Sequence, residues 1–352
     1  MKRLAIVGAT GVVGRCILKV LEEEKLKIDE YVLLASKRSK GTKLFFMNKE
    51  YQVEELTENS FDKKIDYAIF SAGAETAKKY APIAIKNGTI VIDNSSAFRM
   101  EKNVPLIVPE VNKKCIDENH GIIANPNCST IQAIVPLKVI DDLYKIKRIV
   151  YSTYQAVSGA GKNGIEDLKK GIEEYYIDNI KNNEIEKKNK QINKEYHLSK
   201  FKYPIFNNIL PQIDVFTENG YTKEEMKIIN ETRKILNKPE LRITATCARV
   251  PIFNSHAESI NVELENDFNE QELIKALKQK EGIIVMDDFE NDIYPLPTIA
   301  TGNNEIFIGR IRRDNSVKYG LNLWIVADNI RKGAATNAVQ IVKELINEKM
   351  EK

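Results

Sequence analysis

The chain opens on a short apolar run, "LAIV", that stops at a glycine; apolar positions at helical spacing follow in "VVGRCILKVLEE". A short apolar run bounded by turn residues is the pattern of a strand buried on both faces, and the spacing after it is that of a helix with one apolar stripe. The unit recurs. "YVLLAS", "DYAIFSAG", "GTIVIDNSS" and "GIIANP" read as further short strands, with helical stretches in "TAKKYAPIAIKNG" and "CSTIQAIVPLKVIDDL". Strands alternating with helices predict a parallel sheet covered on both faces. Beyond residue 145 the strands lengthen and alternate, in "IKRIVYSTYQAVSG", "LRITATCARVPIF", "HAESINVEL", "EIFIGRIRRD" and "YGLNLWIVAD". These predict a large mixed sheet in a second, α+β unit. The last segment, "NIRKGAATNAVQIVKELINEK", reads as a long helix that packs back on the first unit. The expected division is a dinucleotide-binding domain of residues 1–127, completed by a C-terminal helix of 329–352, and a second domain of 128–328.

Composition narrows the class. The 352 residues are 43% hydrophobic and 29% charged, which suits a globular chain with two cores. Lys plus Arg number 53 against 50 Asp plus Glu, a net charge of +3, so no basic footprint for nucleic acid or an anionic membrane exists. No apolar run approaches the ~20 residues of a membrane span, and the opening reads as a buried strand rather than a signal peptide. A cytoplasmic protein is expected. Residues 175–202 are rich in Lys, Asn and Glu and read as a solvated helix and loop. Cys16, Cys115, Cys128 and Cys247 form no C-x-x-C pair, so free thiols are expected and no metal site. His120, His197 and His256 are the only imidazoles.

"GATGVVG" places Gly8, Gly11 and Gly14 between a strand and a helix, with Thr10, Val12 and Val13 in the same turn. Such a turn lets backbone approach a pyrophosphate at a helix N-terminus. The spacing G-x-x-G-x-x-G departs from the usual dinucleotide fingerprint. The second strand ends in "ASKRSKG", where an NAD site often carries an acidic residue for the ribose. Ser36, Arg38 and Ser39 offer hydroxyls and a cation instead, which suit a 2′-phosphate, so NADP is expected over NAD.

"ANPNCSTIQ" puts Cys128 among polar turn residues, after a strand end and at a helix start. Ligands of α/β sheets bind at such strand ends, and the positive end of a helix favours a thiolate. Cys128 is therefore the candidate nucleophile, whereas Cys16 and Cys247 have apolar or strand neighbours and read as core. A thiolate beside a dinucleotide fold suggests attack on an aldehyde or an activated acyl group, with hydride exchanged with a nicotinamide. His256, in "CARVPIFNSHAES", is the candidate acid and base.

These motifs together resemble the aspartate-semialdehyde dehydrogenase family over nearly the whole chain. The resemblance rests on "GATGVVG", "PNCST", "YQAVSGAG", "DNSSAFRM", "YTKEEMK" and "CARVPIFNSH", in that order. It implies a Rossmann-type doubly wound parallel sheet plus a second α+β domain with a large mixed sheet, as in glyceraldehyde-phosphate dehydrogenases. It implies NADPH-dependent reduction of L-aspartyl-4-phosphate to L-aspartate 4-semialdehyde, with release of inorganic phosphate, in lysine, threonine and methionine biosynthesis. Cys128 would form the thioester, His256 would act as acid and base, and Gln155 would orient the substrate. Arg249 would pair with the substrate α-carboxylate, Glu224 with its ammonium, and Arg99 and Lys227 with phosphate. Ser158, Gly159 and Asn329 would border the nicotinamide, and a homodimer or homotetramer is implied. On the residues alone, Glu224 and Lys227 also suit a surface ion pair three apart, and Arg99 a loop salt bridge. N-acetyl-glutamyl-phosphate reductase and a non-enzymatic NADP-binding protein are the alternatives. A short-chain dehydrogenase would need Tyr-x-x-x-Lys; Tyr196 to Lys200 fits the pattern but lies in the charged insert rather than after a strand.

Overall fold

The computed structural model describes residues 1–180 and 199–351. The bulk of the charged insert, with His197 and Tyr196, lies outside the described residues.

The strands in chain order are β1 (Arg3–Val7), β2 (Glu30–Ala35), β3 (Lys43–Phe46), β4 (Lys49–Gln52), β5 (Glu54–Glu55), β6 (Tyr67–Phe70), β7 (Ile90–Asp93) and β8 (Ile122–Ala124). Then come β9 (Ile146–Gln155), β10 (Arg242–Arg249), β11 (His256–Leu264), β12 (Ile283–Val285), β13 (Ile306–Asp314) and β14 (Gly320–Ala327). The helices are α1 (Val12–Glu24), α2 (Ala74–Lys86), α3 (Pro109–Asn112), α4 (Cys128–Tyr144), α5 (Gly161–Ile180), α6 (Lys223–Leu236), α7 (Glu270–Gln279), α8 (Pro297–Ala300) and α9 (Asn337–Glu351).

The first sheet runs β5-β2-β1-β6-β7-β8 and every pairing in it is parallel. The continuous apolar runs follow from that: with both faces covered, the positions from Leu4 to Val7 in β1 and all of β6 are buried. Leu4, Ile6, Tyr67 and Ile69 fill one face and Ala5, Val7, Ala68 and Phe70 the other. The second sheet runs β10-β9-β11-β14-β13-β12 and is mixed. Its inner face, with Ile149, Tyr151, Ile260, Val262, Leu323 and Ile325, packs on α4, whose Ile131, Ile134 and Leu137 join the same core. The other face leaves Tyr154 and Trp324 in ring contact at 5.7 Å, beside a concavity lined by Ser259, Tyr294, Leu296, Arg310 and Arg312.

Two features depart from the sequence pattern. β3 and β4 form a hairpin whose turn residues, Met47 and Asn48, have φ of 51° and 56°. A two-residue turn of this hand is usually signalled by Asn-Gly, which "MN" does not supply. The terminal helix is also not one helix: Arg331–Thr336 forms a π-helical turn before α9 begins at Asn337. That turn is wedged between the two halves. Arg331 pairs with Glu23 of α1, and a Cβ built on Gly333 would lie 2.8 Å from the Cys128 Cβ. From Ala335 onward the segment packs in the core of the first sheet, with Ala338, Val339, Val342 and Leu345.

Lys332 in this turn is 1% exposed and pairs with Glu110 of α3 at 2.7 Å. Burial raises the Glu110 carboxyl, but the Lys332 ammonium and the Gln340 amide outweigh it and hold it below the usual range. Removing one partner strands a buried charge, which costs about 3–5 kcal/mol. Lys332→Ala is therefore expected to lose stability of that order in denaturant titration. The paired change Lys332→Met with Glu110→Leu should recover much of it. A loss below about 1 kcal/mol in the single variant would show that water reaches the pair.

Candidate active site

At the end of β1, Gly8 has φ +89°, and a Cβ there would stand 2.5 Å from the Ser71 carbonyl oxygen. A Cβ on Gly14 would stand 2.1 Å from the Gly8 oxygen, so the start of α1 is drawn tight against the strand end. Gly11 occupies the cap position of α1 without a side-chain bond, and the first turn carries no acidic residue. The first amides of α1 thus lack a side-chain partner, which is the arrangement that receives a phosphate. The Thr10 hydroxyl reaches Ser39 at 3.3 Å, tying this turn to the one after β2. Ser36 and Arg38 are exposed there, Val12 is exposed and Val13 half-buried. A bare glycine turn beside two hydroxyls and a guanidinium fits a phosphorylated dinucleotide.

The second cluster is set by strand register. β10 pairs with β9 so that Arg249 lies beside Gln155. β11 runs antiparallel on the other side of β9, with Ala257 opposite Tyr154, which brings His256 level with Gln155. Arg249, Gln155 and His256 thus end three adjacent strands in one row, each at most 5% exposed. Cys128 starts α4 above this row and is half-buried. Gln155 Nε2 donates to Ser129 Oγ at 2.9 Å, and Arg249 Nη1 donates to the Ala156 carbonyl at 2.7 Å. Gly159 leaves the space over them open: a Cβ there would be 2.9 Å from Arg249 Nη1 and 3.2 Å from His256 Nε2. Ser158 and Asn329 hydrogen-bond each other at 3.1 Å, and Asn329 Oδ1 accepts from Ser255 N.

α6 supplies the charges. Thr222 and Glu225 form a reciprocal cap at its start, which orients the next turns. Glu224 Oε1 accepts from Asn127 Nδ2 at 2.8 Å, and Glu231, two turns on, accepts the Asn127 backbone N–H at 2.6 Å. Arg99, in the loop after β7, pairs with Glu231 at 3.0 Å and donates to the Asn94 carbonyl, while its Nε has no partner. Lys227 pairs with both Glu224 at 3.1 Å and Asp214 at 3.0 Å. The ordinary ion-pair reading of Lys227 and the loop-salt-bridge reading of Arg99 therefore both hold in this state, at the rim of the same cluster.

Two protonation states differ from the sequence expectation. The Cys128 thiol is pushed up to about 12, first by burial and then by the Glu224 carboxylate; Arg249, Arg99 and the Ser129 amide act the other way and lose. The helix start alone does not make a resting thiolate, because burial and, after it, the Glu224 carboxylate outweigh it. His256 is held well below its ordinary value by burial and by Arg249, so the imidazole is neutral. Its Nδ1 accepts the Ala156 N–H at 3.0 Å, so the hydrogen sits on Nε2. That Nε2 has no partner among the described residues. His256 thus presents a donor, and can take a proton only by giving up the Ala156 contact.

The structure brings together Cys128, Gln155, His256, Arg249, Glu224, Lys227 and Arg99, with Ser158, Gly159 and Asn329 beside them. Gly8, Thr10, Gly11, Val12, Val13, Gly14, Ser36, Arg38 and Ser39 lie apart from this cluster, at the glycine turn and the turn after β2. Cys247 is buried, as its apolar neighbours indicate, whereas Cys16 on α1 is only partly so. Glu231, Asp214, Glu258 and Gly333 escaped the sequence reading. Seven residues separate Glu224 from Glu231, and two separate His256 from Glu258, so helical and strand periodicity carried a signal for both.

Comparison with known proteins accords with this geometry. Residues 3–119 match the semialdehyde dehydrogenase NAD binding domain and residues 137–332 the semialdehyde dehydrogenase dimerisation domain. The aspartate-semialdehyde dehydrogenase of Aquifex aeolicus is 52% identical over 98% of both chains. That of Bacillus subtilis is 46% identical over 97% of this chain and 96% of its own. A crystal structure of aspartate semialdehyde dehydrogenase II complexed with ASA from Vibrio cholerae superposes with a TM-score of 0.90 at 43% identity, covering 99% of this chain and 98% of that one. With a glycine turn, a cysteine at a helix start and three strand ends aligned beneath it, over a match that spans both sheets, the chain belongs to the aspartate-semialdehyde dehydrogenase family.

Proposed function

We propose that the chain reduces L-aspartyl-4-phosphate to L-aspartate 4-semialdehyde through a thioester on Cys128, releasing inorganic phosphate, at the branch that leads to lysine, threonine and methionine. The observation that carries this reading is the row of Arg249, Gln155 and His256 beneath the Cys128 helix start.

Cys128 Sγ attacks the acyl carbon, the thiol proton passes to the departing phosphate oxygen, the bond to that oxygen breaks, and phosphate leaves with the electron pair. NADPH, when bound, supplies the hydride that reduces the thioester. His256 Nε2–H donates to the carbonyl oxygen as it becomes negative, together with the first amides of α4. Collapse re-forms the carbonyl and breaks the C–S bond, releasing the semialdehyde and a Cys128 thiolate, which takes a proton from solvent to become the thiol again. Gln155 holds the acyl group through its side-chain amide. Arg249 takes the α-carboxylate as a bidentate partner, and Glu224 takes the ammonium. Neutralising Glu224 in this way removes one of the two causes that keep the thiol protonated. Arg99 and Lys227 take the phosphate, exchanging Glu231 and Asp214 for a dianion. The glycine turn with Thr10, Val12 and Val13 receives the pyrophosphate, and Ser36, Arg38 and Ser39 the 2′-phosphate. Ser158, Gly159 and Asn329 border the nicotinamide. Residues 1–127 with the C-terminal segment form the nucleotide-binding unit and 128–328 the substrate unit. The exposed face with Tyr154 and Trp324 is the surface for a second copy, in a dimer or a dimer of dimers. Four free thiols suit the cytoplasm.

Cys128→Ser should fold and bind NADP but lose nearly all turnover. In the wild type, alkylation of Cys128 by iodoacetamide should rise about tenfold per pH unit across the alkaline range, because the thiol is protonated at neutral pH. Glu224→Gln should alkylate faster at pH 8; an unchanged rate would assign the raised thiol to burial alone.

Arg99→Ala and Lys227→Ala each remove a charge-assisted contact worth about 1.5–3 kcal/mol, a roughly tenfold to hundredfold rise in KM for phosphate in the reverse reaction. Arg249→Ala should leave the phosphate dependence in place and weaken the amino-acid end. If neither cation variant shifts the phosphate KM while turnover still requires phosphate, the anion binds elsewhere. Arg38→Ala should raise KM for NADP much more than for NAD, and equal effects on both would remove its assignment to the 2′-phosphate.

A further inference from the structure

Glu258 is fully buried on β11 and no step above uses it. It lies two residues after His256 on the same face, opposite Thr153 of β9, and under the first turn of α4. Neither of its carboxyl oxygens has a partner in full hydrogen-bond geometry, yet the Ser129 hydroxyl and the Gln132 amide both approach closely enough to act on it. Those two side chains lead to the site by separate routes. Ser129 Oγ accepts the Gln155 amide at 2.9 Å, which turns its own hydrogen away from Gln155. Gln132 Nε2 donates one hydrogen to the His256 carbonyl at 3.3 Å and keeps a second. One buried acceptor thus lies where both spare hydrogens can converge, beneath the residue after Cys128.

We propose that Glu258 is a positioning residue for the reaction: its carboxyl group, through Ser129 and Gln132, holds the Gln155 amide and the His256 strand end in register beneath Cys128. The proposal rests on the roles assigned above to Cys128, Gln155 and His256. The groups around Glu258 agree with a neutral carboxyl. Burial raises it well above the carboxylate range, Ser129 and Gln132 pull the other way and lose, and Glu224 raises it further. Tyr151 of β9 and Cys247 of β10, both buried, also face it, and each is itself raised, first by burial. A second carboxylate here would push the Cys128 thiol higher still; a neutral acid offers the same shape without the charge. Because the folded chain keeps a proton that the unfolded chain releases above about pH 4.5, this group costs stability as pH rises.

The test compares Glu258→Gln with Glu258→Ala in the full-length enzyme, measuring kcat, KM for NADP and phosphate, and melting at pH 8. Glutamine keeps the shape and an acceptor; it is expected to retain kcat within about threefold and to melt no lower than the wild type. Alanine is expected to lower kcat by about ten- to a hundredfold, the usual effect of a small misplacement of reacting groups, with both KM values little changed. Alanine with near wild-type kcat overturns the proposal. Glutamine as impaired as alanine also overturns it, since the carboxyl would then act as an acid or a charge. If the alanine variant does not fold, Ser129→Ala, which cuts the arm to Gln155, takes its place: kcat must fall without a change in KM for NADP. Cys128→Ser is assayed alongside. If it keeps turnover, the underlying reading fails with the proposal; if only the Glu258 variants contradict expectation, that reading stands.

Discussion

The start of α4 is pinned by two buried carboxylates, and the site follows from that. Glu231 takes the Asn127 N–H and Glu224 takes its side-chain amide, so the residue before Cys128 is held from α6 on both its backbone and its side chain. α4 itself belongs to the core of the second sheet, although it leaves the last strand of the first. Cys128 thus sits at the seam of two separately packed layers, and the anchor decides its height above the strand ends. The same carboxylates hold the cations: Arg99 on Glu231 and Lys227 on Glu224 and Asp214. At rest the cluster is internally neutralised. Burial and then Glu224 keep the thiol protonated, and the cations are taken up by the protein's own carboxylates.

Placement beneath Cys128 comes from backbone rather than from long side chains. Adjacent strands hold Arg249, Gln155 and His256 level, and a one-residue slip of β11 would turn His256 to the opposite face. Glycines set the clearances. Gly159 leaves Arg249 and His256 uncovered, and Gly333 lets the π-helical turn lie directly on Cys128. That turn also reaches α1 through Arg331 and α3 through Lys332, so it ties the two helices and the terminal helix to Cys128. π-helical turns recur at functional sites because the extra residue displaces backbone toward a neighbour.

Much of the fold was legible in the chain. Strands buried on both faces cannot alternate, so the continuous runs around Ile6 and Ile69 announced a parallel sheet, and the alternation around Ile149 and Ile260 a sheet with one open face. The hairpin at Met47–Asn48 was not legible, since those residues take a left-handed turn without the usual glycine. Nor was the break at Arg331–Thr336, where "RKGAAT" continues a helical pattern and the wider turn appears where the segment meets Cys128, Glu23 and Glu110.

The sequence by itself determined which chemistry is present: a thiol at a helix start, one imidazole on a strand end, a glycine turn with hydroxyls and a cation after the next strand. These depend on neighbours a few residues away, and local backbone rules are enough to read them. Protonation and pairing were decided only by the tertiary structure. The Cys128 thiol is raised first by burial under distant elements and then by Glu224, ninety-six residues on, and which nitrogen of His256 carries hydrogen depends on Ala156, a hundred residues before it. Charge and hydrogen-bond energies act over a few ångströms of space, and in this fold those ångströms are crossed between strands and helices that the chain order keeps far apart.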